Sequence, residues 1–440
     1  MSTSTRPGAT ITGIGLVTPV GRGVAEFFEA LCLGKSGLVQ PPAGHPAAGA
    51  AEVVGIAPDI DPTSVLPARE VLAVDRYVVM ALAAADDAMR DAALEVGRDV
   101  DPLRVAVVVS SGAGGLITFE AQAIAREAGG RTAVSAYLYP GFLPNMATAR
   151  IAIRYGIRGY SSSMATACAA GAHAVAEALR LIRSGDADVV VCGGAESPLG
   201  PTGIAGFGNA RALATGWADP TAASRPFDRR RNGFVLGEGA GVLVVERADH
   251  ADARGAVGYA DLIGWGGTTD AHHPTSPRAD GSGAAESMRR ALASAGAVPA
   301  DVGYVNAHGT GTKLGDIAET RAVQAAFGTH APAVSSTKGV TGHLLGSAGA
   351  VEAAATALAV CHGLLPPTQN LDDPDPACDL DHVRGAARPA DLTAALSNSF
   401  AFGGHNVSLL FGPASTGRTR RGEPGHGGAE HDQPSGKGTR

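Results

Sequence analysis

The feature that most constrains this chain is an alternation. Short runs of Val and Ile end in glycine, and most lead into an Ala-rich stretch with helical spacing. "ATITGIGLVTPVG", "RVAVVVSSGAGG", "DADVVVCGGAE", "GAGVLVVERAD", "VGYVNAHGTG" and "PAVSSTKG" read as strands that run into loops. Near-continuous aliphatic runs need cover on both faces, so these strands are expected inside an α/β layer structure. Between them the helices are "RYVVMALAAADDAMRDAAL" after Asp75, "AAGAHAVAEALRLIRSG", "GAAESMRRALASAG" and "GDIAETRAVQAAFG". In the second, Val175, Leu179 and Ile182 fall on one face and Gly185 supplies the stop. A strand, glycine loop and helix around Cys168 are echoed beyond residue 300, which suggests two similar halves meeting near residue 257. No repeat of roughly 20–50 residues is visible, so a solenoid is not expected. Residues 414–440 are polar and Gly/Pro-rich without apolar periodicity, and a disordered tail is expected there.

Composition narrows the partners. Of 440 residues 45% are hydrophobic and 18% charged, and the net charge is −7, which gives no footing for nucleic acid or an anionic membrane. Five cysteines with no CxxC pair argue against a disulfide framework and against zinc, and a reducing cytoplasm is the expected setting. The first twenty residues lack a basic region followed by an apolar run, and no uncharged stretch approaches the roughly 18–20 residues of a membrane span, so neither export nor anchoring is expected.

The residue with the most chemical promise is Cys168, set among small residues where a helix begins. Small neighbours let a ligand approach, and the helix N-terminus would lower the thiol pKa enough for alkylation below pH 8. An isolated cysteine is more often simply buried, and Cys32, Cys192, Cys361 and Cys378 are read that way. His308 in "VNAHGTGTKLGD" and His343 in "SSTKGVTGHLLGSAGAVEAA" change the odds, because both lie in glycine loops, where α/β proteins gather catalytic groups. Lys338 precedes His343 by five positions and Glu352 follows on the next helix, a support pair for the imidazoles. A nucleophilic thiol, two histidines and a Lys/Glu pair resemble acyl-transfer equipment. The spacing offers no short ligand pair for zinc, and "SSGAGGL" lacks the nucleotide fingerprints.

Taken together and in order, "TACAAGAHAV", "GGAES", "SRPFDRRRNGFVLGEGAG", "VNAHGTGT", "STKGVTGHLLGSAGAVE" and "NSFAFGGHN" resemble a β-ketoacyl-(acyl carrier protein) synthase of the condensing-enzyme superfamily, from about residue 8 to 413. The resemblance implies a thiolase-like α/β fold, with duplicated βαβαβαββ halves at 8–256 and 257–413 stacked as five αβαβα layers. It implies Cys168 as the acylated nucleophile, with His308 and His343 assisting decarboxylation of a malonyl-carrier and stabilising the enolate. Lys338 and Glu352 would tune the histidines, and the backbone N–H groups of Cys168 and Phe402 would form the oxyanion hole. Phe402, with Phe400 beside it, would gate the site. Thr275, Thr310 and Thr312 would contact a pantetheine arm, and Arg211 would dock the carrier. No cofactor or metal is implied beyond the carrier's phosphopantetheine. The partners implied are acyl carrier protein and a second subunit, either a copy of the chain or a chain-length factor.

Three departures from the family pattern stand out. Ala401 replaces a usual glycine, which would restrict positive-φ gating conformations. Leu72 and Ala73 replace a common basic pair, which would weaken carrier docking. Ala113 replaces a bulkier residue at the bottom of the acyl pocket, which would deepen it. Elongation of a fatty acyl or a polyene-type polyketide chain both fit. A non-catalytic chain-length subunit would lack the nucleophile, and a degradative thiolase would carry a second cysteine in the loop that here reads "FGGHN".

Overall fold

A computed structural model describes residues 8–416 and 418. The first half contributes β1 (Ala9–Thr18), α1 (Arg76–Asp91), β2 (Val105–Ser110), α2 (Leu116–Gly129), α3 (Met146–Tyr155), β3 (Ser161–Ser162), α4 (Ala170–Ser184), β4 (Val189–Glu196) and β5 (Gly239–Arg247). The second contributes β6 (Ala260–Thr269), α5 (Ser282–Ala295), β7 (Val302–Asn306), α6 (Lys313–Phe327), β8 (Ala333–Ser335), α7 (Ala348–His362), β9 (Asp381–His382), β10 (Ala394–Ala401) and β11 (His405–Pro413). The expected helix starts and stops hold: the Asp75 carboxylate accepts the Tyr77 N–H at the head of α1, and Gly185 closes α4 in the left-handed region at φ 77.

Pairing reveals a duplication. In hydrogen-bonded order the strands run β9-β8-β7-β10-β11-β6-β1-β5-β4-β2-β3. Outward from the centre, β1/β5 and β5/β4 are antiparallel while β4/β2 and β2/β3 are parallel. The other side repeats this, with β6/β11 and β11/β10 antiparallel and β10/β7 and β7/β8 parallel. The two sheets join where Ala9–Ile11 pair with Ala260–Leu262. Helices α1 and α3 cover the outer face of the first sheet, α5 and α6 that of the second, and α4 and α7 pack against each other between them. This is the αβαβα stack expected of the thiolase-like fold.

Glycine in strands sets how tightly these layers close. A β-carbon on Gly15 of β1 would lie 1.8 Å from the Ala84 carbonyl of α1, and one on Gly266 of β6 would lie 2.0 Å from the Ser287 carbonyl of α5. At both places helix backbone rests directly on sheet backbone. The same device recurs at the centre, where β-carbons on Gly171 and Gly349 would lie 2.8 Å from Ala350 N and 2.7 Å from Ala172 N. The segment Leu345–His362 is long and apolar enough to cross a membrane, yet 94% of it is buried inside the protein. It is a core helix because the sheets pack on both of its sides.

Strands β6 and β10 carry no long aliphatic run, while β11 carries Val407, Leu409, Leu410 and Phe411; none of the three was read as a strand. Disorder was expected from 414, but the first residues of that segment are held: the Ser415 N–H donates to Asp261 Oδ2 at 3.0 Å, Thr416 is buried, and the Gly258 N–H donates to the Arg418 carbonyl at 3.0 Å. The remainder of that segment lies outside the described residues.

The backbone contact at Gly15 yields a stability test. Gly15→Ala is expected to cost about 3 kcal/mol, at the upper end for overpacking because backbone rather than a side chain must yield. Urea unfolding followed by circular dichroism measures it, and a change under about 0.5 kcal/mol would show that α1 does not rest on β1 as described.

Candidate active site

Cys168 sits in the 3-10 turn Ala167–Ala169, which passes directly into α4. Ala167 holds φ 48, a conformation that costs a non-glycine residue roughly 1–3 kcal/mol and persists only where surrounding structure enforces it. The matching turn of the second half, Leu345–Ser347 ahead of α7, repeats the feature with Leu345 at φ 46. His343 lies just before that second turn. The duplication therefore delivers Cys168 and His343 from equivalent corners to opposite sides of one space.

The sulfur does not behave as the helix-dipole argument expected. Burial pushes the Cys168 thiol up to about 12, and the nearby Glu196 carboxylate pushes the same way. Lys338 and the backbone N–H groups of Phe402 and Cys168 favour the thiolate without prevailing. The resting group is a thiol, and desolvation is why.

His308 follows β7 and stacks edge-on to His343, with ring centroids 5.3 Å apart at 84°. Phe234 meets the other side of His343 at 5.3 Å and 87°. The stretch "GFVLGEG" holds His343 by its backbone: the His343 N–H donates to the Val235 carbonyl at 2.7 Å and its own carbonyl accepts from Gly237 at 3.0 Å. Burial lowers both imidazoles well below the ordinary histidine value, and the Lys338 charge adds to it. Both are neutral at pH 7. Lys338, itself buried, donates to the His308 carbonyl at 2.6 Å and to Glu352 Oε1. Its pairing lowers the Glu352 pKa and burial raises it, with burial prevailing.

Two carboxylates missed in the sequence hold the His308 loop. Glu319 accepts from the N–H groups of His308 and Gly309 at 2.8 and 2.7 Å, and Asp316 accepts from Gly311 and Phe227 at 3.1 and 2.8 Å. Both stand on the first turns of α6, three residues apart and so on one helix face, a spacing that could have flagged them. Arg231, fully buried, donates to the carbonyls of Thr312 at 3.3 Å and Lys313 at 3.2 Å. Of the three arginines in "PFDRRRNG" only Arg231 does this work; Arg229 pairs with Asp373, and Arg230 with Asp372 and Asp228. Glu196, at the end of an otherwise apolar strand, was also missed.

A cavity of about 680 Å³ brings Cys168, His308 and His343 together with Phe400 and Phe402. Thr275, Thr310 and Thr312 line it too, and the Thr310 and Thr312 hydroxyls are 3.0 Å apart. Arg211 and Ala113 complete the expected set as exposed residues of the lining, joined by exposed Lys313. Lys338 and Glu352 stand behind the histidines rather than on the cavity surface. Ala401 is extended, at φ −125 and ψ 161, so the anticipated conflict with a positive φ does not arise; the left-handed residues of this loop are Gly403 at φ 84 and Gly404 at φ 72. Of the pair that replaces basic residues, Leu72 is 83% exposed and Ala73 is buried.

Residues 9–251 match the family model for the N-terminal domain of beta-ketoacyl synthase, and residues 259–372 match its C-terminal domain. The chain is 42% identical over 403 residues to 3-oxoacyl-[acyl-carrier-protein] synthase 2 of Synechocystis sp., covering 91% of this chain and 97% of that protein. Among solved structures it is similar to the ishigamide ketosynthase/chain length factor, with a TM-score of 0.86 and 33% identity over 93% of this chain and 100% of that one. It is also similar to a type II polyketide ketosynthase in complex with its acyl-carrier protein, with a TM-score of 0.85 and 31% identity over 93% of this chain and 100% of that one.

The raised thiol makes alkylation a direct probe. Iodoacetamide labelling of Cys168, followed by peptide mass spectrometry, is expected to accelerate about tenfold per pH unit from pH 7 through 10, tracking a thiolate fraction still far from saturation. A plateau below pH 8 would restore the dipole-lowered thiolate.

Proposed function

The chain belongs to the β-ketoacyl synthase family, and on that premise we propose that Cys168 carries the growing acyl chain while His308 and His343 manage the malonyl unit. It is a condensing enzyme that transfers an acyl group from a carrier protein and extends it with malonyl-carrier, releasing CO2. The observation that carries the assignment of roles is the single cavity shared by Cys168, both histidines and Phe402.

In the first step the Cys168 sulfur attacks the carbonyl of an acyl-carrier thioester. The thiol proton leaves as the sulfur attacks, and the carrier's thiolate takes up a proton on departure. Neutral imidazoles line the same space and relay that proton. In the second step a malonyl thioester loses its free carboxylate as CO2, and the electrons of the broken C2–C3 bond remain as an enolate on C2 and the thioester oxygen. His308 and His343 each offer that oxygen a hydrogen bond, and being neutral they donate without trapping the enolate as a protonated, unreactive product. In the third step C2 attacks the Cys168 thioester carbonyl. The tetrahedral oxyanion takes the N–H groups of Cys168 and Phe402, donors of a kind worth roughly 10²–10³ in rate each. Collapse forms the 3-oxoacyl product and expels the Cys168 sulfur as a thiolate, which takes up a proton from solvent to restore the thiol that its high pKa favours. The driving force is loss of CO2, and the scheme calls on no metal or cofactor of the chain's own.

The carrier's pantetheine arm would run along Thr275, Thr310 and Thr312, with an acidic carrier at the rim beside Arg211 and Lys313. None of the five cysteines, all among the described residues, is in a disulfide, which suits a reducing cytoplasm. A second ketosynthase-like subunit would cover α2 and the segment after it, where Phe119, Ile124, Tyr137 and Tyr139 are exposed, Ile124 and Tyr139 by 63% and 67%.

Cys168→Ala is expected to abolish both self-acylation and condensation, read by intact-protein mass spectrometry with malonyl-carrier and a panel of acyl-carriers. Chain elongation by that variant would sink the assignment. The purified chain alone is expected to run as a dimer in light scattering. Dimerisation only with an added chain-length subunit would make the partner heterologous, and a monomer under both conditions would remove the proposed interface.

A further inference from the structure

One buried carboxyl group at the site has no part in the reaction as drawn. Glu196 ends β4, is 1% exposed, and lines the cavity beside Cys168. Its Oε1 accepts from the Ser111 hydroxyl at 2.8 Å and the Ala113 N–H at 3.1 Å. Its Oε2 accepts from the Gly112 N–H at 2.6 Å and the Gly346 N–H at 3.0 Å. Among the described residues no Lys or Arg pairs with it, so a buried carboxylate is held by four neutral donors alone. Such a group is costly unless every lone-pair direction is used, and here the donors come from two different halves of the fold.

What those donors belong to gives the carboxylate its role. Gly112 and Ala113 form the loop after β2, and Gly346 is the centre of the strained turn after His343. Gly112, Ala113 and Leu345 all line the cavity that holds Cys168. Leu345 keeps φ 46 in that turn, and the bond from Gly346 is the one that ties the turn to the first half through Glu196. The fit is close enough to exclude side chains: a β-carbon on Gly346 would lie 2.3 Å from Glu196 Oε2, and one on Gly112 would lie 2.8 Å from it.

We propose that Glu196 is a positioning residue that sets the shape of the acyl pocket, clamping the Gly112–Ala113 wall to the Leu345 wall across the two halves. The carboxylate takes no proton and forms no bond to substrate. It fixes how far apart two walls stand, and so which acyl groups Cys168 accepts. This rests on the reading of Cys168 as the acyl carrier.

Two variants test it by different means. Glu196→Gln places an NH2 group against N–H donors and breaks at least one side of the clamp. Gly112→Ala leaves the carboxylate in the chain but forces it to move, since the other atoms near the new β-carbon stand at 3.4 Å or more. Self-acylation of Cys168 is measured by intact-protein mass spectrometry with a series of saturated acyl-pantetheine thioesters of increasing length. In both variants the ratio of rates for long and short thioesters is expected to shift at least tenfold from wild type. An unchanged ratio, including a uniform fall at every length, would overturn the proposal and leave Glu196 a structural group. Should Glu196→Gln fail to fold, Gly112→Ala decides alone. A wild-type chain that takes up no acyl group at any length would instead overturn the assignment of Cys168.

Discussion

The close crossing of α4 and α7 is what the rest of this structure depends on. Gly171 and Gly349 let the two central helices touch backbone to backbone, and each helix begins at a turn that carries site residues. The separation of Cys168 from the His343 corner is therefore set by helix packing, with no flexible loop between the crossing and the chemistry. A larger residue at either glycine would push the layers apart and the two halves of the site with them. The duplicated strand order carries the same logic outward, since each half brings three mutually parallel strands whose C-terminal ends open toward the shared centre.

Desolvation then decides the charge state of nearly every group in that centre. It holds the Cys168 thiol protonated and both imidazoles neutral, and Lys338 is the one positive charge set among them. A site that must stabilise an enolate and then give it up to carbon gains from donors that are strong in position and weak in acidity. Lys338 does not touch the cavity. It acts through the His308 carbonyl and its field, which lowers both histidines further. The acidic groups around it are spent on geometry: Glu319 and Asp316 hold loop N–H groups, and Glu352 holds the lysine.

Much of this was legible in the sequence, for identifiable reasons. Aliphatic runs gave six strands because a strand buried on both faces has little freedom in composition, and the glycine loops located the histidines. Strands β6 and β10 escaped because helix backbone resting on Gly264 and Gly266, and small polar residues in "ALSNSF", erase the aliphatic signature, whereas β11 kept Val407, Leu409 and Leu410 and was simply passed over. The place of Cys168 at the head of a helix was readable and its thiol's acidity was not, because a helix N-terminus is a local feature while burial is a property of the assembled layers. Glu196 and Glu319 were hidden for a similar reason. Their partners are backbone N–H groups, which leave no mark on the sequence beyond a glycine. The concern over Ala401 dissolved once the residue proved extended, with the left-handed turns falling one and two positions after Phe402.

The acyl end of the cavity is where the proposed second subunit would bear on the chemistry. Ala113 was read as the floor of the pocket, yet it is exposed, so its small side chain does not by itself close anything. Its N–H is fixed by Glu196, which makes it a rim of set position rather than a stopper. Each methylene of a growing chain gains about 0.8 kcal/mol when buried, and only while a dry surface remains to receive it. Beyond the rim, α2 exposes Phe119 and Ile124. Were the second subunit proposed above to lie on that face, pocket depth would be a joint property of the rim in this chain and the surface laid over it, and a change of subunit would alter product length without altering a residue around Cys168.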